Sequence, residues 1–292
     1  MKLEGRTAVV TGGGRGIGRA IALEFARQGA DVLTFSRTRA EVEATAAEIR
    51  QYGRRTIALV ADVRRPAEVA KAMGRALEEF GRIDILVNNA GIQGPIGRLH
   101  DNEIEAWVET IQTYLIGTFL CCRHVLPSMV ARRGGKIINL SGGGAATPRP
   151  YFSAYAAAKA GVVRLTETLA EEFKEFNIQV NAIAPGPVFT RMLEQVLQAG
   201  EAAGEVALAD ARRCQQTAGT PPERATALAV FLASPESGCL TGRLISAVWD
   251  DWPEMVRQFT QLAAVGGYTL RRIDSHVLRT IHPQWKLPPD AL

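Results

Sequence analysis

The segment SGGGAATPRPYFSAYAAAK, residues 141–159, ends with Tyr155 and Lys159 four positions apart and opens with one serine followed by three glycines. On a helix, residues four apart lie on one face a turn from each other, so a single ligand can touch both. A free phenol titrates near pH 10, too high for easy proton exchange at neutrality. An ammonium beside it favours the phenolate and lowers that value. The pair is therefore a candidate for general acid or base work, Tyr155 exchanging the proton and Lys159 tuning it.

A second constellation lies near the start. The run TAVVTG leads into Thr11-Gly12-Gly13-Gly14-Arg15-Gly16-Ile17-Gly18, which passes directly into a helical pattern. Gly12, Gly16 and Gly18 permit a tight turn, close approach of backbone to a diphosphate, and close packing of helix on strand. The diphosphate would sit at the positive end of that helix. About 20 residues further on, a fold selective for NAD carries an acidic residue for the ribose hydroxyls. Here the stretch is Ser36-Arg37-Thr38. With no carboxylate to repel a 2′-phosphate, and with Arg15 and Arg37 as charged donors, NADP(H) is expected in preference to NAD(H).

These residues need a scaffold, and the pattern supplies one. Short β-branched runs (TAVVTG, DVLTFS, TIALVADV, IDILVNNAG, KIINLS, IQVNAIAPG, RLISAVW) alternate with longer segments of helical period, among them one from about 102 to 131. Such alternation predicts an α/β fold, a doubly wound parallel sheet covered on both faces. The expected organisation is one nucleotide-binding domain over residues 1–252 with a C-terminal extension over 253–292.

The chain has 292 residues, 47% hydrophobic and 22% charged, enough for a sizeable core. A net charge of +4 with dispersed Lys and Arg argues against nucleic acid as a partner. No stretch reaches the roughly 20 uninterrupted apolar residues of a membrane span, so a cytoplasmic protein without membrane contact is expected. Cys121, Cys122, Cys214 and Cys239 lack ligand spacing, and neither a metal nor a disulfide is expected.

Taken in order, these motifs resemble the short-chain dehydrogenase/reductase family in its compact single-domain form. TGGGRGIG is similar to the family's TGxxxGxG loop, Asp62-Val63 to its adenine-contacting pair, and Asn88-Asn89-Ala90-Gly91 to its NNAG motif. Tyr155 and Lys159 match YxxxK, while Pro185-Gly186, Val188 and Thr190 fall in the stretch flanking the nicotinamide. The resemblance covers roughly residues 5–249. It implies that Gly12, Arg15, Gly16, Ile17, Gly18, Ser36, Arg37, Thr38, Asp62, Val63, Asn89, Ala90, Gly91, Tyr155, Lys159, Pro185, Gly186, Val188 and Thr190 hold the cofactor. It also implies hydride transfer between nicotinamide and a carbonyl or alcohol substrate, Tyr155 as acid or base, and a homodimer or homotetramer.

Two positions depart from the family's pattern. The family's serine, which hydrogen-bonds the substrate oxygen, stands 13 residues before the tyrosine, and counting back from Tyr155 reaches Gly142. Ser141, one position early, is the candidate for that role, although neighbours on a strand face opposite ways. Thr147, Tyr151, Ser153 or the amides of Gly142 and Gly143 are the alternatives. Tyr114 stands where the family has asparagine, either as a relay hydroxyl or as a space-filling ring. These departures keep open a second class of function, an NADP(H)-binding redox sensor or assembly protein with little or no turnover.

The substrate pocket is expected among residues 92–96 and 150–152 and the segment after Thr190. There Met192, Leu193, Val196 and Leu197 recur at helical spacing and would form a lid over an apolar ketone or secondary alcohol, or a helix packed on the core. Cys121, Val125, Leu126 and Met129 are candidates for a subunit face, with packing inside the protomer as the alternative. The extension is expected to pack over the substrate entrance of its own protomer or of a neighbour.

Overall fold

The computed structural model describes residues 1–272. Seven parallel strands form one sheet: β1 (Thr7–Thr11), β2 (Asp31–Ser36), β3 (Thr56–Val60), β4 (Ile85–Asn88), β5 (Gly135–Leu140), β6 (Ile178–Ala184) and β7 (Leu244–Ser246). Their order is β3-β2-β1-β4-β5-β6-β7. The chain thus winds outward from β1 in one direction, then returns to β4 and winds the other way. This is the predicted doubly wound fold, and its switch point lies between β1 and β4.

Strand alternation assigns each apolar side chain to a layer. Ala8 and Val10 of β1, with Ile85 and Val87 of β4, face one core with α1 (Gly16–Arg27), α2 (Arg39–Gln51) and α9 (Pro222–Ala233). Val9 and Leu86 face the other, with α3 (Pro66–Phe80), α5 (Gly117–Arg132) and α6 (Ser153–Glu172). A two-residue period in side-chain direction is what allows near-continuous apolar strands to feed two cores at once.

The predicted helix over 102–131 is α4 (Ile104–Ile111) followed without a break by a π turn (Gln112–Ile116) and α5. Residues 104–132 have the length and mean hydropathy, 1.3, of a membrane span, and half of the tested window is buried within the fold. Cys121, Val125, Leu126 and Met129 lie in the protein's own core, so the subunit face expected of them is not available. Their apolar spacing reflects packing of α5 on the sheet.

Of the extension, residues 253–272 are described. Over the described residues it forms α10 (Trp252–Arg257) and α11 (Phe259–Ala264), and Trp252 packs on Phe231 of α9. It then runs beside the last strand: the Leu244 amide donates to the Tyr268 carbonyl at 2.8 Å, and the Leu270 amide donates to Glu167 of α6 at 2.6 Å. Up to residue 272 this stretch covers a sheet edge and a helix flank. Residues 273–292 lie outside the described residues.

One buried polar chain fixes α6, which carries Tyr155 and Lys159, against the sheet. Asn88 donates to Asn139 at 2.8 Å, Asn139 donates to Thr166 of α6 at 2.8 Å, and Thr166 donates to the Val162 carbonyl. Asn139 and Thr166 are fully buried. Removing the middle member orphans groups on both sides. Asn139→Ala is expected to lower unfolding free energy by about 2 kcal/mol, read as a reduced urea midpoint at unchanged slope.

Candidate active site

The C-terminal ends of the strands open into a cleft of about 1510 Å³. Every predicted cofactor residue lines it except Gly18. Gly18 instead packs inward, where a Cβ would collide with Asn89 and the Gly12 carbonyl. Gly12 has φ +64°, and a Cβ there would lie 2.9 Å from the Ala90 backbone. The loop after β4 is bound to this turn. The Asn89 and Ala90 amides both donate to the Thr11 hydroxyl, at 3.0 and 2.9 Å, and the Asn89 side chain donates to the Thr11 and Gly12 carbonyls. The start of α1 has no side-chain cap and no acidic residue in its first turn. Its free N–H groups and positive dipole end fit the diphosphate of a dinucleotide.

Ser36, Arg37 and Thr38 line one end of the cleft. Arg37 is half-exposed and loosely paired with Glu109, 3.7 Å away. Arg15 pairs with Glu41 at 3.2 Å, and Arg191 approaches the same carboxylate at 3.8 Å. Asp62 is held by Arg64. Burial works to raise the Asp62 pKa, but the hydrogen bonds and charge of Arg64, helped by Arg37, leave it below the ordinary carboxylate value. Glu41, Arg64 and Glu109 were not foreseen. Arg64 follows Asp62 by two residues and could have been noticed, whereas Glu41 and Glu109 come from distant helices without a local signal.

At the other end lie Tyr155 and Lys159, both buried on the first turns of α6. Lys159 donates to the Leu140 carbonyl and places its Nζ 4.0 Å from the Tyr114 ring centroid. Burial pushes its pKa from an ordinary 10.5 down to about 7. Burial also raises the Tyr155 phenol, and the Arg149 guanidinium opposes that shift. Tyr114, on the π turn, meets Tyr155 edge to face at 5.5 Å and donates its hydroxyl to the Ile92 carbonyl at 2.7 Å. It fills space with its ring while anchoring the pocket loop with its hydroxyl.

The serine position is settled by side-chain direction. A Cβ at Gly142 would lie 2.5 Å from the Tyr155 hydroxyl, so residue 142 faces the phenol. Ser141 faces elsewhere: its hydroxyl is enclosed and has no hydrogen-bond partner among the described residues. The three glycines do not re-aim it. Ser141 lines the cleft, but its hydroxyl is enclosed and residue 142 is the one that faces the Tyr155 phenol, as strand alternation requires.

Residues 6–200 match the model of a family described as short chain dehydrogenase. The chain belongs to that family. Among curated relatives of this short-chain dehydrogenase, the oxidoreductase UcpA of Escherichia coli (strain K12) is 41% identical over 244 residues, spanning 82% of this chain and 92% of UcpA. The 3-oxoacyl-(acyl-carrier-protein) reductase FabG of Thermotoga maritima is 35% identical over 245 residues, 84% of this chain and 97% of FabG. NAD+-bound xylitol dehydrogenase superposes with a TM-score of 0.78 at 26% identity, covering 84% of this chain and 98% of that one. For 7α-hydroxysteroid dehydrogenase complexed with NADH and 7-oxoglycochenodeoxycholic acid the TM-score is 0.75 at 28% identity, with 84% and 93% covered. The protein is thus an oxidoreductase of the short-chain dehydrogenase/reductase family, whose members bind NAD or NADP and act on small molecules.

Within this short-chain dehydrogenase Ile92, Gln93, Pro150, Tyr151, Met192, Leu193 and Val196 line the cleft. Met192, Leu193, Val196 and Leu197 of α7 (Arg191–Ala199) pack in one cluster with Tyr114, Phe152 and Tyr155. Tyr151 adopts φ +69°, a region costly for an aromatic residue, and its ring lies against Gly204, where any side chain would collide with it. Two further cleft residues escaped the sequence reading: the exposed Trp249, and Arg149, whose signal was its place between two prolines just ahead of the tyrosine.

The buried lysine has a consequence for stability. The unfolded chain keeps the Lys159 proton to about 10.5, while the folded chain releases it above about 7. Between these values the unfolded state binds more protons, so stability from this residue rises with pH. Urea unfolding of wild type and Lys159→Met across this window is expected to show a positive pH slope that the variant lacks. Parallel slopes would refute the assignment.

Proposed function

We propose that this protein is an NADP(H)-dependent oxidoreductase that transfers hydride between nicotinamide and the carbon of a ketone or secondary alcohol, with Tyr155 as general acid or base. The observation that carries the reading is the position of the Tyr155 phenol, lining the same cleft as the glycine cradle with Lys159 one helical turn away. When bound, the cofactor supplies or accepts the hydride. Gly12, Gly16 and the start of α1 hold its diphosphate, and Lys159, Pro185, Gly186, Val188 and Thr190 surround its reactive end. In reduction Tyr155 gives its proton to the substrate oxygen, and in oxidation the phenolate takes it back.

With Ser141 enclosed, we assign the second contact to the substrate oxygen to the amides of Gly142 and Gly143, which line the cleft. The preference for NADP(H) rests on this chain's own Ser36-Arg37-Thr38. Two similar structures hold NAD+ or NADH, but Arg37 is solvent-accessible and its ion pair with Glu109 is long enough to be exchanged for a 2′-phosphate. The reading includes a cytoplasmic homodimer or homotetramer. Exposed Ile116 and Phe119 near the start of α5 support self-association through a face other than the one read from sequence.

The second reading, an NADP(H)-binding sensor or assembly protein with little turnover, is favoured by the glycine that faces Tyr155 in place of a hydroxyl. Single-turnover oxidation of bound NADPH against a panel of ketones, quinones and keto-esters separates the two. Tyr155→Phe is expected to reduce the rate on the order of 10² to 10⁴-fold while NADPH affinity stays within a few-fold. Tight binding without turnover on the whole panel would favour the sensor. Arg37→Asp is expected to move the ratio of kcat/KM for NADPH over NADH towards NADH by about tenfold or more, and an unchanged ratio would remove Arg37 from the cofactor site.

A further inference from the structure

We propose that Arg149 makes this cleft a site for carbonyl or alcohol compounds that carry a carboxylate beside the reacting carbon. The proposal rests on the oxidoreductase reading above and names the substrate class of the same site.

Four arginines line the cleft: Arg15, Arg37, Arg149 and Arg191. Arg15 and Arg191 share Glu41, and Arg37 faces Glu109. Arg149 alone has no carboxylate within ion-pair distance and no side-chain hydrogen bond among the described residues. It is also partly withdrawn from water, and burial works against its charge. A desolvated cation without a counter-ion is unfavourable unless a ligand supplies one.

The side chain is held ready for that ligand. Its guanidinium carbon lies 4.0 Å from the ring centroid of the fully buried Phe152 and 5.0 Å from that of Tyr155. Gly144, at φ +96°, turns the loop so closely that a Cβ there would lie 3.0 Å from the Arg149 Cβ. Pro148 and Pro150 restrict the backbone on both sides. Stacking covers a face of the guanidinium and leaves its N–H edges for bidentate contact with a planar anion. Fixing the group in advance lowers the ordering cost of binding.

Its location sets where the anion lies. The guanidinium carbon is 5.0 Å from the Tyr155 ring centroid and both residues line the cleft, which puts an anion held by Arg149 within one small substrate's length of the phenol. The lid carboxylates that line the cleft, Glu194, Glu205 and Asp210, are solvent-exposed, and Asp210 is already paired with Arg213 at 2.6 Å. They do not neutralise Arg149.

The test compares benzoylformate with its methyl ester, which differ at the reacting end only in charge and one methyl group, using wild type, Arg149→Met and Arg149→Lys with NADPH. Wild type is expected to favour the acid. Arg149→Met removes a charge beside Tyr155 and lowers turnover of both substrates, but is expected to cost the acid on the order of 10²-fold more in kcat/KM than the ester, the excess mainly in KM, with Arg149→Lys recovering part of it. Equal losses on both substrates, or no loss, would overturn the proposal. Calorimetry with phenylacetate and phenylacetamide, neither reducible, on the NADP+-loaded protein separates the two levels of inference. Binding of phenylacetate that Arg149→Met abolishes, in a protein that reduces no ketone, would uphold the anion site and sink the oxidoreductase reading. Ester turnover with no binding of phenylacetate would do the reverse.

Discussion

Two backbone amides, those of Asn89 and Ala90, converge on one oxygen, the Thr11 hydroxyl. The interaction lies at the seam where the sheet changes winding direction and the loops after β1 and β4 part to open a crevice. With the Asn89 side-chain bonds to the Thr11 and Gly12 carbonyls it sets the separation of those loops, and the glycine turn at residue 12 packs against the Ala90 backbone. The cradle, the crevice and the floor beneath the reacting atoms all take their spacing from this join. Asn88, the residue before it, begins the polar chain that runs through Asn139 to α6. One short sequence, Asn88-Asn89-Ala90-Gly91, thereby connects the glycine turn to the helix that carries Tyr155 and Lys159.

The proton end is organised by the cost of burying charge. Lys159 is enclosed, donates to the Leu140 carbonyl and lies over the Tyr114 ring. A carbonyl dipole and a π-face compensate an ammonium less well than a carboxylate does, and its pKa falls accordingly. Arg149, whose guanidinium keeps its proton far more firmly, is then the more durable positive charge beside Tyr155. The familiar arrangement of a tyrosine, a lysine and a serine has become a tyrosine between two cations, with glycine where the serine hydroxyl would be.

What the sequence made legible was local or periodic. The glycine loop and the strand before it declare themselves within a dozen residues, and the alternation of strands and helices yields the sheet. Parity along β5 was enough to doubt Ser141, because residues 141 and 142 of a continuing extended chain must face opposite ways. The contacts that escaped are those made across the fold. Glu41 reaches Arg15 and Arg191 from α2, and Glu109 reaches Arg37 and Arg64 from α4, with nothing in either helix to announce it. The apolar run on α5 read equally as a subunit face or as core, since hydrophobicity does not say whose surface will cover it; the one buried cluster that all four residues join decides for core.

The segment around Tyr268 lies along β7, whose other side pairs with β6. A strand at the margin of a sheet exposes unpaired amides and carbonyls that invite another chain to add to it. Here the protein occupies part of that margin with its own backbone. The extension therefore works as a plug against edge-to-edge aggregation: a chain that ended at the last strand would have the same catalytic groups but a stickier surface.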